Sequence, residues 1–311
     1  MTLPLRLMSK NVVVTAKLSR ELMTMSKGDR IDTVSSYANR FDSARGTVQK
    51  VIKLLEDEKA VELNKRGHLG TYITFIDYNK LWKFTYWGIL TGAAPLPYTR
   101  KHEGIATAIY YQMEQRDIPF NFAYMQGAEN RAIGLLNQRY DFIILSKESA
   151  MELISKYEEL EIAIEFKPYS YLSGYALVYL EDRFSTIQDG MRLGIDNNSP
   201  DHVKLTKKLC KNINVEYVEL QYTRMIPSLV NGKIDAAVYN QDTIYKPEIK
   251  GFVSHKKIDL TEFDGNEKTK AVILINKKTF GIRHLLKQVI NIEEVEKIQN
   301  DVMAEIIIPT Y

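Results

Sequence analysis

The stretch Thr33 to Leu55, TVSSYANRFDSARGTVQKVIKLL, decides how the N-terminal part of this chain folds. Thr33 can accept a hydrogen bond from a following backbone N–H, so it caps a short helix carrying Val34, Tyr37 and Ala38 and closing near Phe41 and Asp42. Ser43 is expected to cap the next helix in the same way. There Val48, Val51, Ile52, Leu54 and Leu55 form one apolar stripe, while Arg45, Gln49, Lys50 and Lys53 lie off it. Two helices joined by a short turn, the second with arginine, glutamine and lysine exposed, supply the donors that a helix in a DNA major groove needs for base edges and phosphates.

Outward from this core, Val14, Leu18, Leu22 and Met25 recur at helical spacing before Gly28, which predicts a preceding helix over 14–26. On the other side, Ala60-Val61-Glu62-Leu63 and Thr71-Tyr72-Ile73-Thr74 flank Asn64-Lys65-Arg66-Gly67-His68-Leu69-Gly70, a hairpin with a basic, glycine-containing tip.

Over residues 12–75 these features resemble the winged helix-turn-helix of GntR-type regulators. The matching residues are Gly28-Asp29-Arg30-Ile31, then Tyr37-Ala38 and Phe41, then Arg45, Thr47 and Val48, then Leu54-Leu55-Glu56, and Gly67 with Gly70-Thr71-Tyr72-Ile73 in the wing. The resemblance implies that Arg45 and Thr47 contact DNA, with Gly70 and Thr71 in the wing near the minor groove, and the candidate contact set adds Thr33, Ser43, Gly46, Gln49 and Lys50 on the helices and Arg66, Gly67 and His68 on the wing. The chain departs from the pattern at Asp32-Thr33-Val34-Ser35, where a customary arginine is absent, at Ala44 in place of serine, and at Gln49 in place of arginine. These departures bear on which operator is read more than on the fold.

The winged-helix signature ends before residues 75–90, which hold six aromatics in sixteen positions. The domain boundary is placed here, giving a DNA-binding domain over 1–76 and an effector domain over 77–311. The aromatics read as a hydrophobic joint or dimer patch rather than a ligand sensor.

Beyond the boundary, short apolar runs alternate with helical patterns, implying a mainly parallel sheet covered on both faces. Expected strands at 89–92, 120–125 and 142–145 are answered by strands at 193–195, 215–220 and 236–239, and Asn137-Gln138-Arg139-Tyr140-Asp141 is answered by Asn231-Gly232-Lys233-Ile234-Asp235. Extended crossings near 169–179 and 270–275 complete two similar α/β lobes with a cleft between them. This build resembles the type II periplasmic-binding-protein fold used as an effector domain, and a winged helix followed by such a domain is similar to the YhfZ family of regulators.

Turns at strand ends offer backbone N–H groups and the positive ends of helix dipoles, which suits an anionic ligand. The candidates in the first lobe are Thr91, Gly92, Tyr98, Gln126, Asn130, Arg131 and Ser146. In the second they are Asn197, Asn198, Ser199, Tyr222, Arg224, Asn240 and Gln241. Arg131 and Arg224 occupy corresponding turns, and either could clamp a carboxylate or phosphate. A helix cap is the ordinary role for Asn198 and Ser199, and a salt bridge the ordinary role for an arginine.

Composition bounds the alternatives. At 311 residues, with 45% apolar and 26% charged residues, the chain is long enough for two globular domains. Thirteen basic residues against eight acidic ones give residues 1–76 a charge of +5, whereas the rest sums to −2, so the basic end is the one that would meet a polyanion. Cys210 is the only cysteine and reads as a buried structural thiol, and the five histidines show no metal-ligand spacing. No export signal or membrane-length apolar run is read, so the expected compartment is the cytoplasm. There is no P-loop, no dinucleotide fingerprint and no nucleophile elbow, hence no expected cofactor. The sequence is therefore read as a non-enzymatic, dimeric, effector-responsive regulator of a double-stranded DNA operator. An α/β enzyme or a protein-interaction module with an accessory winged helix is the alternative.

Overall fold

The computed structural model describes residues 9–180, 186–244, 253–259, 269–279 and 281–310, with helices α1–α12 and strands β1–β13 numbered in chain order. The chain divides into two compact units. One holds the described residues of 1–91, 110–121 and 277–291, and the other those of 92–109, 122–276 and 292–311.

In the first unit, α1 (Lys10–Leu22) buries Val14, Leu18 and Leu22. It ends before Met25, because the Thr24 hydroxyl donates to Glu21 O and Ser26 N–H donates to Asp29 Oδ2, and both bonds favour a turn over another helical residue. Helix α2 (Val34–Phe41) is capped as expected, with Thr33 accepting from Ser36 N–H at 3.1 Å. Asp42, in the left-handed region at φ 51°, turns the chain into α3 (Arg45–Asp57), which buries Val48, Val51 and Leu55. The expected Ser43 cap does not form: Ala44 occupies the cap position, and the Ser43 hydroxyl is buried without a hydrogen-bond partner. The left-handed residue immediately before it, Asp42, displaces the serine by one place from where it could reach the helix.

Strands β2 (Val61–Lys65) and β3 (Thr71–Ile76) form the hairpin in antiparallel register, and β1 (Arg30–Ile31) pairs with the outer side of β3. The tip is a single 3-10 turn, Gly67–Leu69, between two glycines with φ of 56° and 101°, a region that favours glycine.

The aromatic stretch after β3 is a helix rather than an irregular link. In α4 (Tyr78–Thr85), capped by the Asp77 carboxylate on Lys80 N–H, Leu81, Trp82 and Thr85 are buried. Helix α11 (Ile282–Val289) joins the same unit: Gln288 Oε1 accepts from Tyr78 N–H at 2.7 Å, and His284 stacks on the Tyr78 ring with centroids 5.0 Å apart. These residues lie more than 200 positions apart in sequence.

Two five-stranded sheets lie largely in the second unit. The first has the order β5-β4-β6-β13-β7, from β4 (Leu90–Ala94), β5 (Phe120–Tyr124), β6 (Phe142–Ser146), β7 (Leu160–Glu165) and β13 (Ala271–Asn276), with α5 (Arg100–Glu114), α6 (Ala128–Leu136), α7 (Lys147–Lys156) and α12 (Ile292–Met303) among its connections. The second has the order β10-β9-β11-β8-β12, from β8 (Tyr175–Leu180), β9 (Arg192–Ile195), β10 (Glu216–Glu219), β11 (Ala236–Asn240) and β12 (Val253–Lys257), with α8 (Pro200–Leu209), α9 (Met225–Val230) and α10 (Gln241–Ile244).

The sheets are mixed rather than mainly parallel. Strand β4 runs parallel to β6, and β9 parallel to both β10 and β11, but β13 is antiparallel to β6 and β7, and β8 to β11 and β12. The crossings supply the reversed strands: β8 carries the chain into the second sheet and β13 returns it to the first, and each runs opposite to its neighbours. All six residues of β13 are buried, and burial on both faces explains why its sequence reads AVILIN without alternation. Helices α6 and α7 cover one face of the first sheet through Ala128, Ala132, Leu135, Ala150 and Leu153, and α9 covers the second through Met225, Ile226 and Leu229.

Candidate functional site

The winged helix presents one polar face. Arg45, Gly46, Gln49 and Lys50 are exposed along α3 and Thr47 is half-buried, because the helical period that buries Val48, Val51 and Leu55 turns these positions outward. Arg66, Gly67 and His68 are exposed at the wing tip, where the Arg66 guanidinium lies 4.9 Å from the centre of the Tyr72 ring. Gly70 and Thr71 sit at the base of the wing, half-exposed, with Gly70 against the Arg30 side chain. Among the described residues Arg45, Lys50 and Arg66 form no ion pair, which leaves their charge available to a polyanion. Arg40 differs, since its guanidinium is held by Glu21 at 2.8 Å and Asp32 at 3.0 Å. Thr33 is engaged in its cap, and the Ser43 hydroxyl is enclosed.

The second unit holds an open-mouthed cavity of about 100 Å³ between its two sheets. Of the residues expected at a cleft, Tyr98, Gln126 and Arg131 line it from the first lobe, and Ser199, Tyr222 and Asn240 from the second. The others lie elsewhere. Gly92 packs under Phe142 and Phe122 inside the sheet, and Thr91 precedes it on β4. Ser146 is fully buried behind the wall, accepting from Ser149 N–H to cap α7. Asn130 is exposed and donates to Gln126 O, Asn197 and Asn198 are exposed on their turn, and Gln241 lies beside Gly174.

The two arginines expected to correspond are not equivalent. Arg131 is 2% exposed, because it sits on the buried side of α6 between Ala128 and Ala132. Its Nη1 donates to Met125 O at 2.7 Å, its Nε has no hydrogen-bond partner, and burial lowers its pKa. Arg224 ends the 3-10 turn Tyr222–Arg224 and is exposed, while Tyr222 takes the inward position of that turn.

Two carboxylates organise the second lobe's wall. Asp196, after β9, accepts from Asn198 N–H at 3.0 Å and Tyr222 N–H at 2.9 Å, fixing the turn that delivers the Tyr222 ring. That ring stacks on Tyr239 with centroids 4.7 Å apart and planes 4° from parallel, and its hydroxyl accepts from Asn240 N–H at 2.6 Å. Burial pushes its pKa well above the ordinary tyrosine value. Asp201, in the first turn of α8, accepts from the hydroxyls of Ser146 and Ser149 in the opposite lobe, the latter at 2.7 Å.

Both histidines of the wall are held neutral. His202 donates from Nε2 to Val238 O at 2.9 Å and accepts Asp196 N–H on Nδ1 at 3.3 Å, and burial lowers its pKa. The His102 ring, 4.9 Å from that of Tyr171, is brought down to about 4 by burial and then by the nearby Arg131 charge. The Tyr98 hydroxyl is buried without a partner, and burial raises its pKa to about 12.

Sequence reading did not select His102, Tyr171, Tyr175, Asp196, Asp201 or His202, all of which line the cavity. Asp196 directly precedes the candidates Asn197-Asn198-Ser199 and Asp201-His202 follow them in the first turn of α8, so the nearest available signal was the residues flanking that turn.

Residues 77–311 match the family model for the YhfZ C-terminal domain, and residues 26–73 match a helix-turn-helix domain. The chain is 29% identical over 282 residues to YhfZ of Escherichia coli strain K12, covering 91% of each protein. YhfZ from Shigella flexneri superposes with a TM-score of 0.61 at 28% identity, over 75% of this chain and 97% of that one. The periplasmic aliphatic sulphonate binding protein SsuA from Escherichia coli shares the two-lobed fold at a TM-score of 0.53 and 12% identity, over 70% of this chain and 74% of its own. Among the described residues no helix is long and apolar enough to cross a membrane.

Proposed function

The chain belongs to the YhfZ family, and from that premise we propose that it is a GntR-like, DNA-binding transcriptional regulator whose two-lobed domain binds a small anionic effector and modulates operator binding by a dimer. The carrying observation is a buried arginine, Arg131, that lines an interlobe cavity with Nε unpartnered. It occurs in a chain whose recognition helix exposes Arg45, Gln49 and Lys50. A buried guanidinium donor without an acceptor is costly unless a ligand completes it. Two recognition helices of a dimer would read half-sites about one DNA turn apart, and effector would act by shifting the balance between dimer arrangements. A role on DNA places the protein in the cytoplasm.

The reading is non-enzymatic. His202, one of the two imidazoles lining the cavity, has both nitrogens engaged by backbone groups, so it is not poised beside a nucleophile.

The test is enrichment of genomic DNA fragments by the purified full-length protein. A shared sequence should be enriched by the wild type and lost with Arg45→Ala, whose fold is expected to be unaffected because the side chain is exposed. Enrichment of no sequence, or of the same one by the variant, would refute the DNA-binding reading.

A further inference from the structure

A ligand that is only an anion matches half of this cavity. Among its lining residues Arg131 is the cation, Asp196 and Asp201 are the anions, and His102 and His202 are neutral. One positive and two negative charges leave the wall at −1 before anything binds. A phosphate monoester would add between about −1.5 and −2 to an enclosed space where charges are poorly screened. A simple carboxylate would add one more negative charge with nothing to offset the acids.

The Arg131 Nε–H and the Tyr98 hydroxyl are donors without partners, and no carboxylate of the described residues lies within ion-pair distance of Arg131. Both seek an acceptor. Asp196 accepts two hydrogen bonds from the chain, and an ionised carboxylate offers about four acceptor sites. Close to Asp196 stands the Tyr222 ring, fixed by its stack on Tyr239, with the Tyr98 ring 6.2 Å away. Tyrosine faces attract cations, most strongly where water is excluded.

We propose that the effector is a zwitterion, an amino acid or betaine-type compound. Its carboxylate meets Arg131 and Tyr98, and its cationic nitrogen meets the Tyr222 ring and the carboxylate of Asp196. This assignment rests on the effector-binding reading above and revises the ligand's charge, from a net anion to an anionic group paired with a cationic one: such a ligand completes the orphaned donors and leaves the net charge of the cavity unchanged.

The experiment is a melting-temperature and calorimetric screen of the full-length protein against the twenty proteinogenic amino acids and glycine betaine. Each amino acid is paired with its deaminated acid and its decarboxylated amine, and a set of sugar phosphates is run alongside. At least one zwitterion should raise the melting temperature in a saturable way, because a ligand that binds only the folded state stabilises it. Its acid and amine counterparts should bind at least tenfold more weakly. Arg131→Gln should lose at least tenfold in affinity, and Tyr98→Phe, which removes one hydroxyl and keeps the ring, should weaken binding even if the arginine variant does not fold. Simple acids or sugar phosphates binding as tightly as any zwitterion would overturn this assignment and leave the effector-cleft reading standing. Binding of no compound in any set would overturn both. Affinity unchanged in both variants would overturn the placement of the carboxylate.

Discussion

Ser149 on α7 and Asp201 on α8 meet across the cleft, the serine hydroxyl donating to the carboxylate at 2.7 Å with both residues buried. Ser146 donates to the same carboxylate, so one acidic side chain of the second lobe holds two hydroxyls of the first. Hydrogen bonds to a buried charge contribute about 1.5–3 kcal/mol each, and losing the acceptor leaves both donors unsatisfied. Asp201→Ala should therefore lower unfolding stability by about 3 kcal/mol or more in urea titration, with Asp201→Asn intermediate. An unchanged midpoint in Asp201→Ala would show that the lobes are not joined this way.

Two hydroxyls beside the recognition helix should respond in opposite ways. Thr33 caps α2 through Ser36 N–H, and removing such a cap costs about 1 kcal/mol, so Thr33→Ala should be destabilised by that amount. Ser43 has a buried hydroxyl with no partner, so Ser43→Ala should be neutral or slightly stabilised. Equal losses in the two variants, measured by chemical denaturation, would contradict the cap assignment.

The neutral imidazoles predict acid sensitivity. His102 is brought down to about 4 in the folded state and His202 is also lowered, against an ordinary histidine value of about 6.5. Between those limits the unfolded chain binds more protons than the folded one, so stability is fully present above about pH 6.5 and is lost as pH falls toward 4. Melting temperature should decline over that window, and His102→Met should flatten the decline. A wild-type profile flat from pH 7 to 4.5 would contradict neutral burial of these rings.

How much of this was legible follows the range of the interactions. The winged helix is built from local periods and turn residues, so Thr33, the stripe Val48-Val51-Leu55 and the glycines of the wing could be read directly. Helix α4 was equally local, since Leu81 and Thr85 repeat at i, i+4, but its aromatic content drew attention away from its period. The insertion of β13 between β6 and β7 and the capping of Tyr78 by Gln288 join segments more than 100 residues apart, which no local pattern encodes. At the cavity, strand-end turns pointed to Tyr98, Gln126, Arg131, Ser199, Tyr222 and Asn240. Which of two similar turns turned its arginine inward depended on packing around Ala128 and Ala132, and Asp201 and His202 lay just past the motif, in the first turn of α8.

Coupling between the cavity and the DNA is the most direct test of the account. The measurement is the affinity of the full-length protein for its enriched operator, by fluorescence anisotropy at fixed salt, with and without the ligand that raises its melting temperature. Allosteric coupling of about 1–3 kcal/mol corresponds to roughly 5- to 150-fold in affinity, so a change of at least fivefold is expected, in either direction, and it should vanish in Tyr98→Phe at ligand concentrations that saturate only the wild type. An operator affinity that is identical with and without saturating ligand would contradict the account.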